Sequence, residues 1–153
     1  MYNSILVPTD GSETAEVAVD HALDLAEKYD ATVHTIYVVD TDSMDLSLGS
    51  EQVDRIRSGQ FGDMEELGEK AEKATNRVAT RSEEHGVSVV EDVGAGKPHS
   101  VITNYANDHD IDLIVMGSHG RGGVRRMLLG SVTERVLRTA RIPVLVVDAR
   151  TDD

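Results

Sequence analysis

Apolar residues along this chain gather in five short runs: Ile5 to Pro8, Thr32 to Val39, Val87 to Val93, Leu113 to Met116 and Val144 to Val147. The runs are rich in valine and isoleucine and nearly continuous, the pattern of strands covered on both faces. Between them, apolar positions recur at three- and four-residue steps, which is the helical period. Ala15, Ala18, Ala22 and Leu25 mark a first helix. Ser12 is placed to cap it, and Glu13 and Glu16 sit in its first turn, where an acid complements the positive end of the helix dipole. Leu67, Ala71, Ala74 and Val78 stripe a second helix. A third opens at Lys97–Pro98, proline being tolerated at the first helical position, and carries Val101, Ile102, Tyr105 and Ala106. A fourth is expected to start near Ser131 and to bury Val132, Val136 and Leu137.

Strand and helix in alternation predict a parallel sheet with helices on both faces, a doubly wound α/β fold. A length of 153 residues suits one such domain. Sheets of this kind take ligands outside the carboxyl ends of their strands, where the chain order reverses. The segments that follow strands are PTDGS at 8–12, VVD at 38–40, GAGKP at 94–98 and GSHGRGGVRRMLLGS at 117–131. Residues 40–62 are long for a connection and are expected to form a flexible lid or a partly helical segment, with Met44, Leu46 and Leu48 in local packing.

The stretch 117–131 concentrates the candidate chemistry. Gly117 and Gly120 follow the fourth strand at once, and Gly130 and Ser131 lie where the next helix begins. Glycine lets backbone approach a ligand with no β-carbon in the way. A helix start offers unpaired N–H groups and a partial positive charge, so a phosphate is stabilised there. Ser131 adds a hydroxyl that can cap the helix or bond a phosphate oxygen. A surface turn with Ser131 as a plain N-cap is the structural alternative.

At this point MGSHGRGGVRRMLLGSVTERVLRTARIPVLVV resembles the C-terminal signature of the universal stress protein family. That family's nucleotide-binding pattern is glycine, two residues, glycine, nine residues, glycine, then serine or threonine. Gly117, Gly120, Gly130 and Ser131 match it at every position, and ILVPTDGSETA is similar to the family's first strand and loop. The resemblance spans essentially the whole chain and implies a Rossmann-like, five-stranded parallel sheet in the order 3-2-1-4-5. Completeness of the glycine pattern places the chain with the branch that binds ATP, or ADP or AMP, with Mg²⁺ or Mn²⁺ carried by the nucleotide. The resemblance implies Asp10 at the ribose, Pro8 and Thr9 lining the base pocket, and the backbone of Val38 against adenine. It further implies a phosphate loop of Met116, Gly117, Ser118, His119, Gly120, Arg121, Gly122 and Gly123, closed by Gly130, Ser131, Val132 and Thr133. Read from the residues alone, Asp10 before Gly11 is also a turn former, Val38 is also simple core, and Arg121 is also a solvated arginine. The family commonly pairs through its last strand, so a homodimer through residues 142–147 is expected.

Composition narrows the function further. There is no GxxxxGK[ST] loop, no serine- and glycine-rich pyrophosphatase loop and no HxGH element, so an ATP-binding protein is expected over a committed enzyme. The rival is a slow ATPase or phosphotransferase using His119 and Arg121. The other five histidines show no metal-ligand spacing, and although Asp10 and Asp40 can hold Mg²⁺ through nucleotide and water, no protein metal cage is visible. A net charge of −13 opposes nucleic acid and anionic lipid, and Arg121, Arg125 and Arg126 without aromatics make a weak footprint for nucleic acid. With 28 acids, 11 arginines and only 4 lysines, the surface resembles that of proteins from salt-loving organisms and points to a halophilic archaeon. An ordinary acidic protein is the plainer alternative, and retention of the fold in low salt distinguishes the two. Absent cysteine, a start MYNSILVPTD unlike a signal peptide and no membrane-length apolar run give the expectation of a cytoplasmic protein.

Overall fold

The computed structural model describes residues 2–41, 65–118 and 130–148. Five strands, β1 (Ser4–Pro8), β2 (Thr32–Asp40), β3 (Val89–Gly96), β4 (Leu113–Gly117) and β5 (Val144–Val147), form one parallel sheet in the order β3-β2-β1-β4-β5. Among the described residues, four helices, α1 (Glu13–Tyr29), α2 (Glu65–His85), α3 (Pro98–Asp108) and α4 (Ser131–Thr139), connect them. This is the doubly wound topology and strand order expected from the sequence. Among the described residues, no helix is long and apolar enough to cross a membrane.

Side chains alternate across a strand, so each buried strand feeds two cores. Ile5 and Val7 of β1, Val33 of β2 and Leu113 and Val115 of β4 point to one face. There they meet Ala18, Val19, Ala22, Leu23 and Ala26 of α1 and Val78 of α2. Leu6, Ile36, Ile114 and Met116 point to the other face, under Ile102, Tyr105 and Ala106 of α3 and Val136 of α4. The alanines on α1 let that helix lie close to the central strands, and Ser12 caps it by accepting the Ala15 N–H at 3.2 Å.

Three local expectations shift. Continuous burial holds for β1 and β4 but not for the outer strands: Val90 and Glu91 on β3 and Leu145 on β5 are exposed. Each outer strand has a neighbour on one side only, which leaves the other edge open. β3 starts later and runs on through Gly96, so most of GAGKP is strand rather than loop. On α4 Thr133 and Val136 are buried and Val132 packs partly against the second core, while Leu137 stands 41% exposed. Of residues 40–62, expected as a flexible lid or a partly helical segment, 42–62 with Met44, Leu46 and Leu48 lie outside the described residues.

A polar cluster borders the second core, with Tyr105 buried, His34 half-buried and His109 exposed. His34 Nδ1 and the Tyr105 hydroxyl share a hydrogen bond of 2.8 Å, and Tyr105 stacks on His109 at 3.8 Å between ring centroids. Burial holds His34 below its ordinary value, the charge of His109 adds to this, and Asp92 opposes it. The Tyr105 hydroxyl is pushed up to about 12 by burial, with Asp92 contributing. His34 therefore binds its proton less well in the folded chain than in the unfolded one. Stability from this group is present at neutral pH and is lost as the pH falls below the unfolded value of about 6.5. Melting temperatures from about pH 7 to about pH 5 should fall more steeply for wild type than for His34→Gln; equal slopes would contradict the assignment.

Candidate functional site

β1 lies between β2 and β4, and the chain leaves β1 toward β2 but leaves β4 toward β5, on the opposite side. The connections that leave the carboxyl ends of β1 and β4 therefore diverge, the switch point at which sheets of this kind open a crevice for a ligand. On the β1 side, the Thr9 N–H donates to Ile36 O at 2.9 Å, the last link between the strands. The chain then turns tightly. Thr9 Oγ1 accepts the Gly11 N–H at 3.2 Å, Asp10 Oδ1 accepts the Ser12 N–H at 2.9 Å, and Gly11 takes φ 80°. The positive φ is what glycine supplies here. Asp10 is thus a turn former, and the turn fixes where its carboxylate stands.

Val38 lies two residues past the end of the β1 pairing and packs its side chain on the second core. In a strand, backbone polar groups of every second residue point the same way. Since Ile36 O faces β1, the N–H and C=O of Val38 face the same side, where β1 has already ended at Pro8. The side chain is core, and the backbone borders the crevice.

On the β4 side, one bond ties the strand end to β5 and two tie it to the start of α4. The Ser118 N–H donates to Val147 O at 2.8 Å, the Gly130 N–H to Ser118 O at 2.7 Å, and Thr133 Oγ1 to Gly117 O at 2.8 Å. Gly130 is the N-cap of α4, with φ −62° and ψ 151° and no side-chain cap. Ser131 is therefore the first helical residue and not the cap. The backbone N–H groups of Ser131, Val132 and Thr133 belong to the first turn, where a helix has no internal acceptor to offer them. Those donors and the dipole make the start of α4 favourable for an anion.

Gly117 has a separate reason to be glycine. A β-carbon built there would stand 2.4 Å from Thr14 Cγ2 and 3.2 Å from Thr14 O, so the first turn of α1 presses directly on the end of β4. Spacing alone does not reveal this contact, because Thr14 lies at the opposite end of the sequence. The structure brings Pro8, Thr9, Asp10, Val38, Gly117, Ser118, Gly130 and Ser131 to the carboxyl edge of the sheet. Met116 instead buries its side chain in the second core, Val132 packs partly against it, and the Thr133 hydroxyl is committed to Gly117. His119, Gly120, Arg121, Gly122 and Gly123 lie outside the described residues.

Comparison with known proteins agrees with the fold. The model of the universal stress protein family matches residues 1–148. Universal stress protein MJ0531 of Methanocaldococcus jannaschii is 40% identical over 147 residues, which cover 96% of this chain and 82% of that one. The solved structure of MJ0577 from the same organism superposes with a TM-score of 0.79 at 32% identity, covering 99% of each chain. A universal stress protein from Archaeoglobus fulgidus, solved in complex with dAMP, shares the fold with a TM-score of 0.67 at 22% identity, covering 95% of this chain and 97% of that one. The chain belongs to the universal stress protein family.

Proposed function

We propose that this protein binds an adenine nucleotide, ATP foremost, in the crevice between the ends of β1 and β4, and that the bound nucleotide governs its action in a cellular stress response. One observation carries the proposal: α4 begins without a side-chain cap, on a glycine tied by a 2.7 Å bond to the residue that ends β4. That places the donors of one helix turn at the mouth of the switch-point crevice, where phosphates are stabilised by N–H groups and by the dipole together. The remaining pieces fit a nucleotide of this size. Asp10 is held by its turn at the end of β1, and a carboxylate accepts hydrogen bonds from a ribose diol. The backbone of Val38 borders the same crevice, where an adenine edge can pair with it. A protein of the same fold has been solved with dAMP, so the fold admits an adenine nucleotide. Mg²⁺ or Mn²⁺ would arrive on the phosphates.

Binding, rather than turnover, is the primary activity in this proposal. ATP at about a hundred times its dissociation constant stabilises a folded chain by about 2.7 kcal/mol. For a domain of this length that raises the melting temperature by roughly 5–10 °C. No shift with millimolar-range ATP would remove the proposal. Rapid ATP turnover with Mg²⁺, abolished in His119→Ala, would replace it with the enzyme reading.

A further inference from the structure

Helices α1 and α2 run side by side in the same direction, bridged at four-residue intervals. Arg77 Nη1 donates to Glu16 Oε1 at 3.1 Å, and one turn on, Arg81 pairs with Asp20. The next step along both helices brings His85 to Asp24 and Glu27, with His85 Nδ1 at 3.1 Å from Glu27 Oε1. In the first two rungs a permanently charged guanidinium meets a carboxylate. In the third, an imidazole faces two carboxylates, so even a protonated His85 leaves excess negative charge. A guanidinium only donates, whereas a neutral imidazole offers a lone pair.

We propose that Asp24, Glu27 and His85 form a binding site for a divalent transition metal, Zn²⁺ foremost, which clamps the carboxyl-terminal ends of α1 and α2 together. One ligand atom from each of the three residues lies within 4.8 Å of the other two. Bonds of about 2.0–2.2 Å from one ion to imidazole nitrogen and carboxylate oxygen place such atoms about 3–4 Å apart. The existing Glu27–His85 separation is already in that range. A mixed nitrogen and oxygen set favours Zn²⁺, Co²⁺ or Ni²⁺ over Mg²⁺ and Ca²⁺, which prefer oxygen alone. Water completes the coordination, because both carboxylates are exposed.

The frame around the three residues is firm. Leu23 and Ala26, the neighbours of Asp24 and Glu27 on α1, are buried in the first core. One turn before His85, Ser82 is wholly buried and donates to Val78 O at 2.8 Å. Gly86, at φ 68°, ends α2 immediately after His85, and the Val87 N–H returns to Ser82 O at 2.9 Å. Glu27 and His85 sit in the last turns of their helices, where the carbonyl ends of both dipoles favour a cation, and Asp24 lies one turn earlier on α1. The site lies at the far end of α1 from the Asp10 turn, so it stands or falls independently of the nucleotide.

The test is isothermal titration of the untagged, nucleotide-free protein with ZnCl2 at neutral pH, beside Glu27→Gln and His85→Arg. The arginine variant supplies the group that the other two rungs already use, so it keeps the helix pair together; its melting temperature without metal reports that directly. Wild type should bind one Zn²⁺ per chain, and each variant should bind roughly tenfold or more weakly, since losing even an outer partner of a metal ligand costs that much. Absence of saturable binding by wild type, or wild-type affinity in His85→Arg, would overturn the proposal.

Discussion

Gly130→Val is expected to weaken ATP binding by about a hundredfold or more while leaving the chain folded. Gly130 holds φ −62° and ψ 151°, a conformation open to any residue, so valine is not strained there. Its N–H bond to Ser118 O is backbone and survives the change. The poorer N-cap costs about 1 kcal/mol, a few degrees of melting temperature in a domain this long. Binding suffers far more, because two methyl groups now stand at the entrance to the first turn of α4. A phosphate kept from those N–H groups forfeits charge-assisted hydrogen bonds of about 1.5–3 kcal/mol each. Two such bonds account for a hundredfold or more in affinity. Titration with ATP and thermal unfolding of the same samples separate the two effects. A variant that binds as wild type does would move the phosphates away from α4.

Gly117→Ala is expected to destabilise the fold by about 1–3 kcal/mol through overpacking. The added β-carbon meets Thr14 Cγ2 at 2.4 Å, and rotating that side chain does not clear it, because the Thr14 carbonyl follows at 3.2 Å. Either α1 or β4 must shift, and both are anchored by the first core. Thr14→Ser removes the nearer atom and leaves the carbonyl. The double variant should therefore recover part of the loss, and the shortfall from additivity measures the contact. Denaturant unfolding of wild type, both single variants and the double variant gives the four free energies. Equal stability of wild type and Gly117→Ala would show that the close approach is not real. Gly117 keeps space for the fold, whereas under the proposed binding mode Gly130 keeps space for the phosphates.

The helices and the two central strands were legible because their residues obey one rule each. Ala15, Ala18 and Ala22 repeat at the helical step, and the buried strands run apolar from Ile5 to Pro8 and from Leu113 to Met116. The edge strands were less legible, since exposure there depends on which neighbour is missing, and topology decides that rather than local pattern. Leu137 misled for a related reason: a nine-residue helix gives two similar apolar faces, and contact with Gly117 through Thr133 selects between them. At the site, the turn role of Asp10 was readable from the Asp-Gly pair. The Thr14–Gly117 contact was not, because it joins residues far apart in the chain and leaves no trace in spacing. The Ser131 side chain looked like a cap, yet the cap lies one residue earlier on a glycine. The rungs between α1 and α2 needed the relative register of two helices, which only the packed structure supplies.

The central claim is that an adenine nucleotide occupies the crevice between β1 and β4 with its phosphates at the start of α4. Native mass spectrometry of protein purified without added ligand tests it most directly, with Gly130→Val purified alongside. Wild type should carry up to one adenine nucleotide per chain and fill on addition of ATP, while the variant should emerge bare and need about a hundredfold more ATP to fill. Wild-type protein that retains no nucleotide and gains none from added ATP would contradict the account.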